Sequence, residues 1–246
     1  MGEPVRLAVW SGPRNISTAL MRAWENRPDT VVVDEPFYAH YLAATGIDHP
    51  GAADVVRLGE TDWRRVVASL LAPLPGGAAV AYQKHMAQHL LPGIDHGWIG
   101  ELANVLLIRD PREVVASYTR TRATVTPEDI GLPQQVQLYD ELCAGGDGDP
   151  PPVIDAGDVL RDPERYLRAL CHHVGVGFTD RMLSWPPGPR STDGPWAPYW
   201  YAAVWRSTGF ERPARRALRL EGAAAEVAEA CLPLYRRLHA ARWALL

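Results

Sequence analysis

The chain has 246 residues, of which 47% are hydrophobic and 22% are charged, and its formal net charge is -4. This length fits one large α/β domain, so we expect a single domain over residues 1–246. The charge balance is unlike that of strongly basic nucleic-acid binders, and we expect no nucleic-acid partner.

The predicted elements alternate between strands and helices. In chain order they are a strand at 6–10, a helix at 16–25, a strand at 30–33, a helical excursion or loop at 39–60, an amphipathic helix at 63–71, strands at 78–82 and 104–108, a helix at 112–121, loops at 123–133 and 144–152, a strand at 152–154, and helices at 163–174 and 222–241. This alternation is typical of a three-layer α/β fold, with a mostly parallel sheet and helices on both faces.

The sequence predicts neither a leader nor a membrane span. Its first residues lack a charged segment followed by an apolar one. The longest uncharged stretch, 66–83, contains Pro73, Pro75 and the pair Gly76-Gly77, which break a helix. We therefore expect a cytoplasmic protein.

Ligands of parallel α/β sheets bind beyond the carboxyl ends of the strands, which directs attention to residues 11–18, 34–38, 83–89 and 109–117. The first of these segments reads S-G-P-R-N-I-S-T and lies between a predicted strand and a predicted helix. Backbone N–H groups and the helix dipole favour an anion there, and Arg14 adds a full positive charge. The alternative is a plain turn in which Asn15 or Ser17 caps the helix.

The same segment differs from the Walker A loop, G-x-x-x-x-G-K-[ST], because it lacks the second glycine and the lysine. This difference disfavours a P-loop-type small-molecule kinase, which stays as an alternative function.

A second segment, 107–118, reads L-I-R-D-P-R-E-V-V-A-S-Y. Arginine is a good bidentate ligand of phosphate, and Arg109 ends a predicted strand. Ser117 follows eight residues later, which is about two helical turns. Taken alone, Arg109 and Asp110 could instead form an ion pair with Arg112 or Glu113.

Together the two segments resemble the signatures of sulfotransferases that use 3′-phosphoadenosine-5′-phosphosulfate (PAPS), with most similarity to a bacterial and fungal branch. The resemblance implies a P-loop-like sulfotransferase architecture that releases adenosine 3′,5′-bisphosphate (PAP). It implies 3′-phosphate binding by Arg109 and Ser117, and 5′-phosphosulfate binding by Pro13, Arg14, Asn15, Ile16, Ser17 and Thr18. The pair Asn15-Ile16 departs from the more common Ser-Gly. The resemblance also implies a small-molecule or carbohydrate acceptor, and it leaves room for a homodimer.

Sulfuryl transfer requires an aligned donor and a base for the acceptor proton. Glu35 ends the second predicted strand, where several carbohydrate-type sulfotransferases place a catalytic glutamate. His85 is the second candidate, because Gln83-Lys84-His85 loosely resembles the Lys-Thr-His segment of cytosolic members. We place Glu35 ahead of His85. Lys84, the only lysine beside 24 arginines, is our candidate for the bridging oxygen, where a compact charge is needed.

We expect no metal, because His85 and His89 have the i, i+4 spacing without the glutamate of an HExxH motif. The late aromatic segment, residues 191–210, contains Trp196, Trp200 and Trp205. Family resemblance suggests that it closes over the nucleotide, whereas its composition alone is equally typical of core. A catalytically silent nucleotide-binding protein on the same fold is the alternative outside the enzymes.

Overall fold

The computed structural model describes residues 4–122, 124–145, 149–211 and 219–245. At its centre is a five-stranded sheet made of β1 (Val5–Ser11), β2 (Thr30–Asp34), β3 (Val80–Met86), β4 (Ala103–Ile108) and β5 (Val153–Asp155). The strand order is β2-β3-β1-β4-β5, and neighbouring strands are parallel. Parallel pairing brings the carboxyl ends of the strands to one edge of the sheet.

Helices connect and cover the strands. In chain order they are α1 (Ser17–Glu25), α2 (Tyr38–Thr45), α3 (Ala52–Leu58), α4 (Trp63–Leu71), α5 (Pro111–Tyr118), α6 (Pro127–Ile130), α7 (Leu132–Gly145), α8 (Ala156–Arg161), α9 (Pro163–His173), α10 (Ala197–Trp200), α11 (Ala202–Arg206) and α12 (Gly222–Ala240). No helix in the described ranges combines the length and the apolar character needed to cross a bilayer.

Helices pack on both faces of the sheet because successive side chains of a strand point to opposite sides. In β1, Leu7 and Val9 belong to a core shared with α1, α8 and α9. Ala8 and Trp10 belong to the opposite core, shared with α4 and α7. Residues of α5, α7 and α12 extend that second layer over β4 and β5. The predicted three-layer α/β fold is therefore confirmed.

The third strand is longer than the sequence predicted. It ends at Met86 instead of residue 82, so that Gln83, Lys84 and His85 lie within a fully buried strand. The predicted strand stopped before these three residues because they are polar. Their burial depends on partners that are distant in sequence.

Local pattern also missed several helices. The predicted loop 123–133 contains α6 and the start of α7, although residue 123 lies outside the described residues. The predicted loop 144–152 begins inside α7, and residues 146–148 lie outside the described residues. The helix α8 was not predicted, and the excursion at 39–60 contains α2 and α3.

Candidate active site

A cavity of about 400 Å³ lies at the carboxyl edge of the sheet. Ten of the eleven site residues predicted from the sequence line it. They are Pro13, Arg14, Asn15, Ile16, Ser17, Thr18, Glu35, Lys84, Arg109 and Ser117. The strand order explains this convergence, because β1, β2, β3 and β4 are adjacent and parallel.

The segment 11–18 leads into the uncapped N-terminus of α1, which lies at the cavity. The N–H groups in the first turn of a helix have no intrahelical acceptor, and α1, which begins at Ser17, also lacks a side-chain cap. Gly12 allows a close approach of the chain, because a Cβ atom there would lie 2.1 Å from the carbonyl oxygen of Ile130. The geometry suits an anion that binds to backbone N–H groups.

The two sequence motifs contact each other directly. Arg14 Nε donates a hydrogen bond of 3.0 Å to Ser117 Oγ, and Arg109 Nη1 donates one of 3.2 Å to the Arg14 carbonyl oxygen. Burial and the neighbouring charges of Arg120 and Arg109 lower the pKa of Arg14. An anion bound among these guanidinium groups would relieve their mutual repulsion.

The ion pairs that formed the alternative interpretation are also present. Arg109 Nε lies 2.8 Å from Glu113 Oε2, and Arg112 Nη2 lies 2.5 Å from Asp110 Oδ2. The side chain of Asp110 also accepts a hydrogen bond from the backbone N–H of Arg112, which caps α5. Arg109 therefore forms a strand-end ion pair and also lines the cavity.

Asn15 holds the first loop against the sheet. Its Nδ2 donates to the Leu107 carbonyl oxygen at 3.0 Å, and its Oδ1 accepts from the Ile16 N–H at 2.9 Å. The buried Gln135 supports the same region by donating to the carbonyl oxygens of Trp10 and Leu107. The Asn15 amide thus shapes the loop through contacts within the protein.

Backbone strain is concentrated in this cavity. Within the described residues, the non-glycine positions with positive φ are Arg14 (φ 55°) and Glu35 (φ 43°). Such conformations cost about 1–3 kcal/mol and are characteristic of functional sites. Both residues line the cavity, one at the end of β1 and the other at the end of β2.

Four buried polar side chains, which we call the Lys84 cluster, meet at the ends of β2 and β3. Lys84 Nζ lies 2.9 Å from Asp34 Oδ1, 2.5 Å from Glu35 Oε1 and 2.7 Å from the Tyr201 hydroxyl oxygen. The Lys84 side chain is 1% exposed and that of Glu35 is 12% exposed. The cluster therefore holds one ammonium and two carboxyl groups in a nearly dry environment.

Charge and burial oppose each other in the Lys84 cluster. Burial acts to lower the pKa of Lys84, but the carboxylates of Asp34 and Glu35 outweigh it and raise that pKa. Burial raises the pKa of Glu35, and the Lys84 ammonium offsets part of this rise. A carboxyl group with a raised pKa is a stronger base than an ordinary glutamate when it is ionised.

His85, the second candidate base, does not line the cavity. Neighbouring residues of a strand point to opposite faces, so Lys84 and His85 cannot both reach the same side. His85 stacks on Trp10 with ring centroids 4.1 Å apart, near Phe37 and Trp98, and it is 1% exposed. Burial lowers its pKa to about 3. His85 therefore lies outside the cavity wall, whereas Glu35 lines it.

Several cavity residues were not singled out for this role from the sequence. Residues of the cavity wall outside the two motifs and the late aromatic segment include Tyr38, His49, Met86 and Gln88. His89 also lines the cavity, stacked between Tyr38 and Tyr41 with centroid distances of 4.9 and 4.7 Å. Burial is the main cause that lowers the pKa of both His49 and His89. This part of the wall is therefore mainly aromatic, with neutral imidazoles.

The late aromatic segment contributes both to the core and to the cavity wall. Trp196 is buried against α2, whereas Trp200, Tyr201 and Phe210 line the cavity. Asp193 forms a buried ion pair with Arg22 of α1 and accepts a hydrogen bond of 2.9 Å from Trp205 Nε1. These contacts hold the segment beside the helix that follows the anion loop.

Among the described residues, no group of three or more histidine, cysteine, aspartate and glutamate side chains is arranged to hold a metal ion.

The sulfotransferase domain family matches residues 5–242. Two curated relatives from Arabidopsis thaliana, named branched-chain-amino-acid aminotransferase-like proteins 1 and 2, are 37% and 36% identical over 238 and 230 residues. The alignments cover 97% and 94% of this chain but 42% and 40% of the relatives. The chain thus spans about two fifths of the length of these relatives.

Two solved structures share the fold. The sulfotransferase domain of an olefin synthase from Synechococcus has a TM-score of 0.53 at 18% identity, with 94% of this chain and 95% of that chain covered. A sulfotransferase from Alicyclobacillus acidocaldarius has a TM-score of 0.54 at 16% identity, with 98% and 96% covered. At these identities the likeness concerns the fold.

Proposed function

Because the chain belongs to the sulfotransferase domain family, we propose that it transfers the sulfuryl group of PAPS to a hydroxyl or amine of a small acceptor and releases PAP. The observation that carries this proposal is the convergence of the two sequence motifs and a buried lysine–glutamate pair on one cavity. The names of the curated relatives do not identify the acceptor.

The donor-binding role is proposed for the arginine-rich end of the cavity. The open terminus of α1 and Arg14 would bind the 5′-phosphosulfate, and Arg109 and Ser117 would bind the 3′-phosphate. Support comes from the hydrogen bond between Arg14 and Ser117, which joins the two motifs at one end of the cavity. The Ser117 hydroxyl and the guanidinium groups are suitable donors to phosphate oxygens.

The chemical step is proposed for the Lys84 cluster. Glu35 would accept the acceptor proton, and Lys84 would donate a hydrogen bond to the oxygen that leaves sulfur. A base contributes about 10²–10⁴-fold to such a reaction. Glu35 and Lys84 line the cavity that also contains the anion loop, so both are within the same site as the proposed donor.

The 3′-phosphate assignment predicts a difference between two nucleotides. In Arg109→Ala, PAP should bind about 10- to 150-fold more weakly, because charge-assisted hydrogen bonds contribute about 1.5–3 kcal/mol. Adenosine 5′-phosphate, which lacks the 3′-phosphate, should be affected much less. Isothermal titration calorimetry with both nucleotides measures the two affinities.

A matched control is Arg112→Ala, since Arg112 lies in the same segment, is about half exposed and pairs with Asp110. This variant should leave both affinities unchanged. Equal weakening of PAP and adenosine 5′-phosphate in Arg109→Ala would contradict the assignment.

A second prediction separates sulfuryl transfer from the kinase alternative. Turnover should persist in EDTA, because PAPS carries an activated sulfate and the protein offers Lys84 and Arg14 for its charges. The assay combines PAPS with a metabolite extract and detects products by a mass gain of one sulfonate. Phosphorylated product that forms with ATP–Mg²⁺ in place of PAPS, is lost in EDTA and returns with Mg²⁺ would favour the kinase. PAP binding without any sulfonated product would favour the silent nucleotide-binding protein.

A further inference from the structure

Lys84 has no spare hydrogen-bond donor among its described contacts. An ammonium group carries three N–H bonds. Its three partners, Asp34, Glu35 and Tyr201, lie 2.5 to 2.9 Å from Nζ. A further acceptor, such as the leaving oxygen of the donor, can therefore bind Lys84 only if one of the three partners gives way.

Two of the three partners are fixed. The Tyr201 hydroxyl accepts from Lys84 Nζ and from Trp196 Nε1 at 3.1 Å, and it donates to the Asp34 carboxylate, whose oxygens lie 2.9 and 2.8 Å away. A phenol has one proton and two lone pairs, so its hydrogen-bonding capacity is filled. Asp34 is buried at the end of β2.

The third partner, Glu35, is the one placed to move. It follows β2 in a strained conformation, with φ at 43°. Its side chain lines the cavity and is 12% exposed, against 2% for that of Asp34. Loss of the bond to Lys84 would leave the Glu35 carboxyl facing the cavity, where an acceptor would lie.

We propose that Glu35 and the leaving oxygen of the donor compete for one N–H of Lys84, while Asp34 and Tyr201 are positioning residues that hold the ammonium during the exchange. This inference rests on the proposed function. The bond from Lys84 to Glu35 keeps the base occupied in the absence of nucleotide, and donor binding releases it.

The exchange fits a balanced transfer step. The acceptor oxygen forms a bond to sulfur while its proton goes to the Glu35 carboxylate. The bond from sulfur to the bridging oxygen breaks, and its electron pair stays on the 5′-phosphate of PAP. That oxygen accepts the hydrogen bond from Lys84, which remains an ammonium throughout.

The PAP complex corresponds to the state after transfer, in which Glu35 holds the acceptor proton. Glu35 faces Asp34 from β2, Lys84 from β3, Tyr201 from the late aromatic segment and Tyr38 from α2, and His89 lies near Lys84. Losing its bond to Lys84 beside a bound phosphate raises the pKa of Glu35. PAP binding should therefore take up about one proton per site at a pH between the free and bound pKa values.

Calorimetry of PAP binding tests this exchange without turnover. Titrations in two buffers of different ionisation enthalpy, over a series of pH values, give the number of protons taken up. The wild-type protein should show uptake, and Glu35→Gln should lose it while retaining PAP affinity. Tyr201→Phe keeps the ring but removes one acceptor of Lys84, so it should reduce the uptake and lower kcat with little change in PAP affinity.

The outcomes separate two kinds of failure. If wild type and Glu35→Gln bind PAP with the same proton uptake, the exchange is wrong and the proposed function stands. Unchanged uptake and kcat in Tyr201→Phe would likewise overturn the positioning role. If the wild-type protein does not bind PAP, the proposed function fails, and the exchange with it.

Discussion

Replacing Glu35 by glutamine is expected to lower kcat by about 10²–10⁴-fold, the usual contribution of a general base. Glutamine keeps the size of the side chain but cannot accept the acceptor proton. PAP affinity should be retained, because the proposed nucleotide contacts lie on Arg14, Arg109 and Ser117. Steady-state kinetics with PAPS and the acceptor found by mass spectrometry measure the effect.

The pH dependence of the same reaction gives a second measure. Burial raises the pKa of Glu35 above its ordinary value. Since the base must be ionised, kcat/KM of the wild-type protein should rise with pH through that raised pKa. Glu35→Gln should lack this acid limb, which reports on the base itself and not on folding.

The control for this experiment is His85→Asn. His85 lies in the core and outside the cavity wall, so its replacement should change stability more than the kcat of the folded protein. Full activity in Glu35→Gln together with an inactive but folded His85→Asn would reverse the assignment of the base.

Replacing Lys84 by methionine is expected to destabilise the protein by about 3–5 kcal/mol, in addition to lowering kcat. Methionine is of similar length, but it leaves Asp34 and Glu35 buried beside each other without a counter-ion. The Lys84 side chain is 1% exposed, so water cannot compensate for the lost charge. Urea denaturation with two-state analysis measures the free energy of unfolding.

A double variant identifies the cause of that loss. Lys84→Met combined with Glu35→Gln removes one carboxylate together with the ammonium. Residues in direct contact give non-additive effects, so the double variant should be less destabilised than the sum of the two single variants. Additive losses, or a Lys84→Met protein as stable as the wild type, would show that the ion pairs of the Lys84 cluster contribute little.

The fold was predictable because local patterns and topology agree. Continuous apolar runs such as Leu7–Trp10 and Val105–Ile108 suit strands buried on both faces of a parallel sheet. Alternation with helices makes the strands parallel, so that their carboxyl ends lie at one edge of the sheet. For this reason the segments 11–18 and 109–117, which are distant in sequence, could be assigned to one site. The meeting of these segments at one edge could be predicted without knowing any individual contact.

The interior of the site was less predictable because it depends on distant partners. Tyr201 reaches Asp34 across 167 positions, and no local pattern marks that contact. The placement of Lys84 and His85 on opposite faces follows from strand geometry, but only once β3 is known to continue to Met86. A polar run at the end of an apolar strand was the available signal, and it indicated a loop equally well.

Because the chain has a single lysine, the proposed active site can be observed selectively by spectroscopy. Lys84 is the sole lysine of 246 residues and its ammonium is buried. Isotope labelling of lysine side-chain nitrogen would give one resonance, assigned without mutagenesis, whose protons are shielded from exchange with water. Amine-reactive reagents modify the accessible lysines of other proteins, but this chain has no exposed lysine for them to modify. Nuclear magnetic resonance could thus follow the partners of a single ammonium group as nucleotide is added.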